Sequence, residues 1–217
     1  IPAVQRTFAV TTLAHRMYPS DEERARGGAG KASVLDPLLR GTLVHRYFEV
    51  WDFRGPAPDV EAFLDREMPA RQLRASLGEA LSAAAGRFVK CEAFALVRNA
   101  ASITREQHFA LRVGDALVEG QIDAILDGVT VLDYKTGRNT ESRRRMYEAQ
   151  LCLYAEAMIR LRGEAPRDAY LYYVDSGELV EADISEGRIR EVLDDAAKTI
   201  QAVRREAVPD EMEAYLQ

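Results

Sequence analysis

Alternation of apolar and polar positions is clearest between residues 103 and 135. Ile103 to Val113 reads as a strand, with Phe109, Leu111 and Val113 along one side and Glu106 and His108 at polar positions. His108, beside Phe109, is expected to face solvent. Val118 to Gly137 then offers two runs rich in Val, Ile and Leu on either side of Asp127-Gly128, a dipeptide that accepts the positive φ angles of a tight turn. The stretch reads as a β-hairpin. Asp123, Asp133 and Lys135 interrupt it where a purely structural sheet would keep Val or Leu, and charges on such strands need partners.

Helical spacing surrounds this hairpin. Leu38 to Trp51 places Leu38, Leu39, Thr42, Leu43 and Phe48 or Tyr47 on a prospective core face, with His45 inside the run. A lone histidine on such a helix is more often a core or surface residue than a ligand. Gly41, one turn earlier, weakens a helix and so suggests close packing against that turn. Asp59 to Leu96 reads as helix broken into two pieces at Pro69, the second alanine-rich from Leu77 to Phe88. A further helix is expected from about Arg144 to Leu161, carrying Tyr147, Gln150 and Tyr154 on one face and Leu151, Met158 and Ile159 towards the core. Ala169–Val174 and Glu178–Ala182 form a second strand pair around Asp175-Ser176-Gly177, and Ser185 to Glu206 is an amphipathic helix ended by Pro209. Helices, three strands, helix, two strands and helix together predict an α/β chain with a mixed sheet sandwiched by helices.

The hairpin sets the chemistry. Asp133 and Lys135, two apart, share a face, and Tyr134 points the other way. A two-residue turn would pair Asp123 with Leu132, whereas a three-residue loop or a bulge would pair it with Asp133. The second arrangement is predicted. Facing carboxylates repel without a cation between them, and oxygen-rich clusters suit hard divalent ions such as Mg²⁺ or Mn²⁺. On the strands alone, an Asp–Lys salt bridge on a wet sheet face is the competing explanation.

Composition narrows the classes. The chain has 217 residues, 47% hydrophobic and 29% charged, which suits one sizeable core with a helical portion. A net charge of −6 gives no global signature of nucleic-acid binding, so a polyanion would have to be met by local patches or by metal. Cys91 and Cys152 are too few for a disulfide framework, a four-cysteine zinc site or an iron–sulfur cluster, which fits a reducing cytoplasm. No window has the roughly 20 apolar residues of a membrane span, no signal peptide is evident, and a first residue of Ile1 suggests a fragment of a longer protein. Gly27 to Ser33 mimics a phosphate-binding loop, but Ala25 and Ala32 stand where Gly and Ser or Thr are required, so a flexible surface loop is expected.

Taken in order, Gly41-x-x-x-His45, Gly120-x-x-Asp123, Asp133-Tyr134-Lys135-Thr136 and Tyr147-x-x-Gln150-Leu151-x-x-Tyr154 resemble the RecB/AddA branch of the PD-(D/E)xK nucleases, found at the C-terminus of UvrD-like helicases. Phe8-Ala9-Val10-Thr11 also resembles the start of that domain, so the likeness spans about positions 8 to 175. The resemblance implies a restriction-endonuclease-like mixed central sheet flanked by helices, with an N-terminal helical portion, and a single nuclease domain over 1–217. It implies a metal-dependent deoxyribonuclease working with Mg²⁺ or Mn²⁺ in recombination or repair DNA-end processing, with DNA and a helicase domain, in cis or in trans, as partners. His45, Asp123 and Asp133 would supply side-chain ligands and the Tyr134 carbonyl another. Lys135 would orient or activate water and stabilise developing charge, and Gln150 would position Lys135 or the DNA backbone. Tyr147 and Tyr154 would line the substrate channel, Arg143, Arg144 and Arg145 would give local phosphate contacts, and Glu106 resembles a recurrent acidic position.

The chemistry agrees with that resemblance, because phosphodiester hydrolysis needs an activated water and neutralised phosphate charge, both of which a divalent metal can provide. Two cysteines cannot supply the four of the members with an iron–sulfur staple, which points to the cluster-free type. The alternative is a non-catalytic DNA-binding scaffold domain of a helicase–nuclease complex, although Asp123, Asp133 and Lys135 are all retained. A purely structural use of these charges would require His45 to lie far from the two acids.

Overall fold

The computed structural model describes residues 6–20, 36–68 and 73–206. In chain order these form β1 (Thr7–Ala9), α1 (Val10–Met17), α2 (Pro37–Val50), α3 (Val60–Glu67), α4 (Arg74–Phe88), α5 (Glu92–Asn99), β2 (Ile103–Val113), β3 (Ala116–Leu126), β4 (Thr130–Lys135), α6 (Glu141–Arg162), β5 (Asp168–Tyr173), β6 (Glu178–Glu181) and α7 (Glu186–Glu206). The six strands make one mixed sheet, with β3 at its centre. One edge of β3 pairs antiparallel with β2 from Ala116 to Leu126. Its other edge is shared, with β1 running parallel at Leu117–Glu119 and β4 antiparallel at Ala124–Leu126. Beyond β4 the sheet continues with β5, parallel, and β6, antiparallel.

Apolar surface is buried on both faces. One core joins α1, α6 and α7 to the sheet through Leu13, Val118, Leu153 and Val192, among others. The other joins α2 to α5 through an aromatic group that includes Phe48, Trp51, Phe88, Tyr134 and Tyr172. Phe48 stacks on Tyr134 at 4.8 Å between ring centroids, so α2 is packed directly on the strand that carries the acidic and basic pair.

Local sequence explains the helix ends. Asp36 caps α2 by accepting from Leu38 N–H at 3.0 Å, with Pro37 in the first turn, and Asp59 caps α3 by accepting from Ala62 N–H at 2.8 Å. The helix expected from Arg144 begins at Glu141 instead, because Thr140 serves as its cap, and it ends at Gly163 in the left-handed conformation (φ 81°).

Three expectations are corrected. The run to Leu96 forms three helices: the chain turns at Val89–Cys91, and extended Cys91 (φ −104°, ψ 165°) starts α5 afresh. The buried face of α2 is Leu43, Val44, Tyr47 and Phe48, whereas Leu38 is 77% exposed and Thr42 is exposed, since the first turn projects beyond the aromatic core. Residues 7 to 9, given no strand by the sequence pattern, form a sixth strand too brief to show alternation. Gly27–Ser33, Pro69 and Pro209 lie outside the described residues. Among the described residues, no helix is long and apolar enough to cross a membrane.

Candidate active site

Turn chemistry sets the register of the hairpin. Leu126 pairs with Thr130, leaving the three-residue loop Asp127–Val129. Asp127 (φ 51°) and Gly128 (φ 75°) take positive φ, and Val129 N–H returns to Leu126 O at 3.0 Å, so Val129 is the extra residue that a two-residue turn would lack. Ala124 consequently faces Leu132, and the same register carried one residue further sets Asp123 opposite Asp133. This is the arrangement the sequence predicts.

A second irregularity aims these groups. Val118 and Ile122 pack in the α1/α6/α7 core, but Ala124 and Leu126 pack in the α2–α5 core, so side-chain alternation slips by one residue around Asp123. On β2 the same change separates Phe109, Leu111 and Val113 from Ile103. At the slip, Glu106 stands opposite Asp123 with φ 49°, a left-handed conformation costly for a residue with a Cβ. The slip lets Gly120 and Asp123, three apart, line one cleft.

Helix α2 supplies the third group. His45 Nδ1 lies 3.2 Å from Asp123 Oδ1, and the other oxygen of Asp123 accepts the Tyr134 N–H at 2.7 Å. The distance required by a purely structural reading of these charges is therefore not found. Although burial works against charge on the ring, Asp123 raises the His45 pKa to about 9. Burial likewise opposes ionisation of Asp123, yet the charge and hydrogen bond of His45 hold its carboxyl below the usual carboxylate range. Asp133 moves the opposite way: burial and then the negative Asp123 outweigh Lys135 and raise it. Glu106, raised to about 7 by burial and then by Asp123, completes the acidic row.

Lys135 is enclosed rather than free. Its ammonium donates to Gln150 Oε1 at 2.9 Å, lies 2.7 Å from Asp133 Oδ2 and sits 4.4 Å above the centre of the Tyr147 ring. Burial disfavours the ammonium, but Asp133 and Asp123 keep its pKa above the ordinary lysine value. Gln150 Nε2 donates to the Tyr154 hydroxyl, and the Tyr154 ring meets Phe109 edge-to-face at 5.5 Å. On this shared helix face Tyr147 and Gln150 contact the lysine, and Tyr154 reaches it through Gln150.

All these groups line a cleft of about 1480 Å³ between α1, α2, α6 and the sheet. The cleft brings together His45, Asp123, Asp133, Tyr134, Lys135, Tyr147, Gln150 and Tyr154, and adds Glu106 and Gln121. Arg143, Arg144 and Arg145 do not line it; they occupy the first turn of α6, where Arg144 pairs with Glu148 and Arg145 with Glu141. Phe109 reads only as a strand residue in the sequence, and its place over Gly120 and against Tyr154 has no signal in the alternation.

The donor set suits a hard cation. Asp133 Oδ2 is buried, touches the lysine charge off the angle of a hydrogen bond and has no hydrogen-bond partner. Asp123 and His45 line the same cleft, and the oxygen and nitrogen donors of the three residues match a small divalent ion better than a soft one. Among the described residues, no three His, Cys, Asp or Glu side chains are gathered in ligating geometry.

The mixed sheet flanked by helices, with Asp123, Asp133 and Lys135 buried along a cleft, is a restriction-endonuclease-like fold. The sequence model of the PD-(D/E)XK nuclease superfamily matches residues 14–215, and the chain belongs to that superfamily, whose members generally use divalent metal ions. Curated relatives include an ATP-dependent helicase/nuclease subunit from Listeria welshimeri, 32% identical over 33% of this chain and 7% of that protein. The corresponding helicase/nuclease subunit from Clostridium botulinum strain Kyoto is 22% identical over 69% of this chain and 14% of its own length. The chain therefore spans a small part of these relatives. A solved structure of a candidate exonuclease from Eubacterium rectale shares the fold, with a TM-score of 0.58 at 12% identity over 94% of this chain and 83% of the other.

Proposed function

We propose that the chain is a divalent-metal-dependent deoxyribonuclease that hydrolyses phosphodiester bonds. The observation that carries this reading is that two pairs, His45 with Asp123 and Lys135 with Asp133, come from one helix and two adjacent strands to line one cleft. His45, Asp123 and Asp133, with the Tyr134 carbonyl, would hold Mg²⁺ or Mn²⁺. Such an ion supplies a Lewis acid for the phosphate and lowers the pKa of a bound water.

The rest falls to protein groups. Lys135, its pKa raised, is an ammonium at neutral pH, so it acts as a hydrogen-bond donor and positive charge beside the reacting phosphate rather than as a general base. Gln150 and Tyr147 fix where that charge sits. The walls of the cleft, including Glu106 and Gln121, would surround the strand, and Arg143 to Arg145 outside it would give local contacts to phosphates further along.

The relatives are helicase/nuclease subunits, which supports a wider role in recombination or repair DNA-end processing beside a UvrD-like helicase, in cis or in trans, in the cytoplasm. In that setting residues 1–217 act as a single nuclease domain of a longer helicase–nuclease.

The test is cleavage of linear single- and double-stranded DNA with Mg²⁺, Mn²⁺ or EDTA, comparing the native chain with Asp133→Ala and Lys135→Ala. Metal-dependent degradation lost in both variants is expected. A chain that binds DNA yet neither binds metal nor cuts would instead be the non-catalytic scaffold.

A further inference from the structure

His45 reaches the site from a helix, whereas Asp123, Asp133 and Lys135 come from the sheet, so catalysis depends on what holds the two halves in place. A cluster at some distance from the reacting groups joins them. Arg40, five residues before His45, directs both terminal nitrogens of its guanidinium at Asp175, Nη1 to Oδ2 at 3.0 Å and Nη2 to Oδ1. Asp175 Oδ2 also accepts the Gly137 N–H at 2.7 Å, two residues after Lys135. Val174 N–H donates to Lys135 O at 2.9 Å, drawing the ends of β4 and β5 to the same point. Next to Arg40, a Cβ at Gly41 would lie 3.3 Å from Thr136 Oγ1, so α2 already rests closely on the residue that follows Lys135.

We propose that Arg40 and Asp175 form a latch that sets helix α2, and with it His45, against the end of β4 that carries Lys135. They are positioning residues, and their consequence for catalysis rests on the nuclease reading above. An isolated surface ion pair contributes little, on the order of 0–1 kcal/mol. This one is two-pronged and half-buried, and its carboxylate also binds a backbone N–H whose residue turns at φ 98° before the chain enters α6. One carboxylate thereby fixes the approach of α2 and the path from Lys135 towards Tyr147 and Gln150. Groups that orient ligands in this indirect way typically matter by about 10- to 100-fold in metal affinity or activity.

The experiment compares the native chain with Arg40→Gln, Asp175→Ala and the double variant, and uses as control Arg167→Gln, which removes an ion pair with Asp168 and a hydrogen bond to Thr130 at the other end of β4. Each is first shown folded by circular dichroism. Mn²⁺ titration, kcat and KM on linear DNA, and hydrogen exchange at the Gly137 amide and along α2 are then measured well below the melting temperature. The expected result is about a 10-fold loss of Mn²⁺ affinity, a kcat that falls more than KM rises, and faster exchange at Gly137 in Asp175→Ala. The double variant should be no worse than the worse single one, since the pair acts as a unit. Folded variants that keep native Mn²⁺ affinity and native exchange, even with a lowered melting temperature, would overturn the latch. If the native chain binds no Mn²⁺, the nuclease reading falls by itself, and exchange decides the latch: acceleration at Gly137 and along α2 retains it, and unchanged exchange removes it.

Discussion

The ring of Phe109 occupies the space that a side chain at Gly120, its cross-strand partner, would fill. A Cβ there would come within 2.7 Å of the ring and 2.6 Å of Val10 Cγ1. Replacing a strand glycine ordinarily gains roughly 0.5–1 kcal/mol through the unfolded chain. Here overpacking should win, because the ring is wedged against Tyr154 and Val10 belongs to the same core. Gly120→Ala is expected to lose about 1–3 kcal/mol in urea unfolding. It should also lower kcat, because a displaced Phe109 disturbs Tyr154 and, through Gln150, the lysine. An unfolding midpoint equal to that of the native chain would show that the ring can swing aside.

Tyr147 lies beneath the Lys135 ammonium at 4.4 Å, so its π face acts on the lysine directly. Tyr147→Phe keeps the ring and should stay near native activity. Tyr147→Leu keeps apolar bulk but loses an attraction of about 0.5–2 kcal/mol, which corresponds to a fall in kcat of roughly 2- to 30-fold. Steady-state kinetics separates this from a role confined to gripping DNA, which would raise KM in both variants and leave kcat unchanged.

How much of this was legible follows from the range of each interaction. The hairpin and the shared face of Asp133 and Lys135 depend on neighbours in sequence and follow from turn chemistry and a two-residue period, whereas the three-residue loop follows from the expectation that Asp123 faces Asp133. The shared face of Tyr147, Gln150 and Tyr154 follows from helical spacing in the same way. Asp123 did not follow from alternation, because the slip opposite Glu106 breaks the period that alternation assumes. It is marked instead as a charge interrupting an apolar run and by the pattern Gly120-x-x-Asp123. Arg40 and Asp175 are 135 positions apart, and neither sits in an unusual local pattern, so nothing short of the tertiary structure joins them. The basic run Arg143–Arg145 is conspicuous in sequence, whereas the pairing of Arg144 with Glu148 and of Arg145 with Glu141, each four positions away, appears only in the structure.

His45 should make metal binding dependent on pH. In the metal-free protein Asp123 raises its pKa to about 9, so at pH 7 the ring is protonated and must lose a proton before a nitrogen can coordinate. The sign follows: apparent Mn²⁺ affinity should rise between pH 6.5 and about 9 and then level, with proton release on binding at neutral pH. Calorimetry in buffers of different ionisation enthalpy measures that release. In His45→Gln the release should shrink and the rise with pH should flatten. An affinity that is flat over this range in the native chain would remove His45 from the ligand set.

Metal removal should be visible in stability as well as in activity. Without a cation, folding brings Asp123 and Asp133 together in a buried setting, and the carboxyl of Asp133 is raised by burial and by its negative neighbour. A group raised in this way favours folding when protonated and opposes it once pH passes the unfolded carboxylate range, so the metal-free protein carries this cost at neutral pH. A divalent ion that binds only the folded chain offsets it. The gain is about 2.7 kcal/mol when the free ion stands at 100 times its dissociation constant. Adding Mn²⁺ at fixed ionic strength is therefore expected to raise the melting temperature, and EDTA should return it to the metal-free value. Asp133→Asn should abolish the increment, whereas Arg167→Gln, which alters an exposed pair on the strand β5 side, should keep it. An increment that survives Asp133→Asn would place the stabilising ion elsewhere, because no other buried side-chain oxygen in the cleft stands without a hydrogen-bond partner among the described residues.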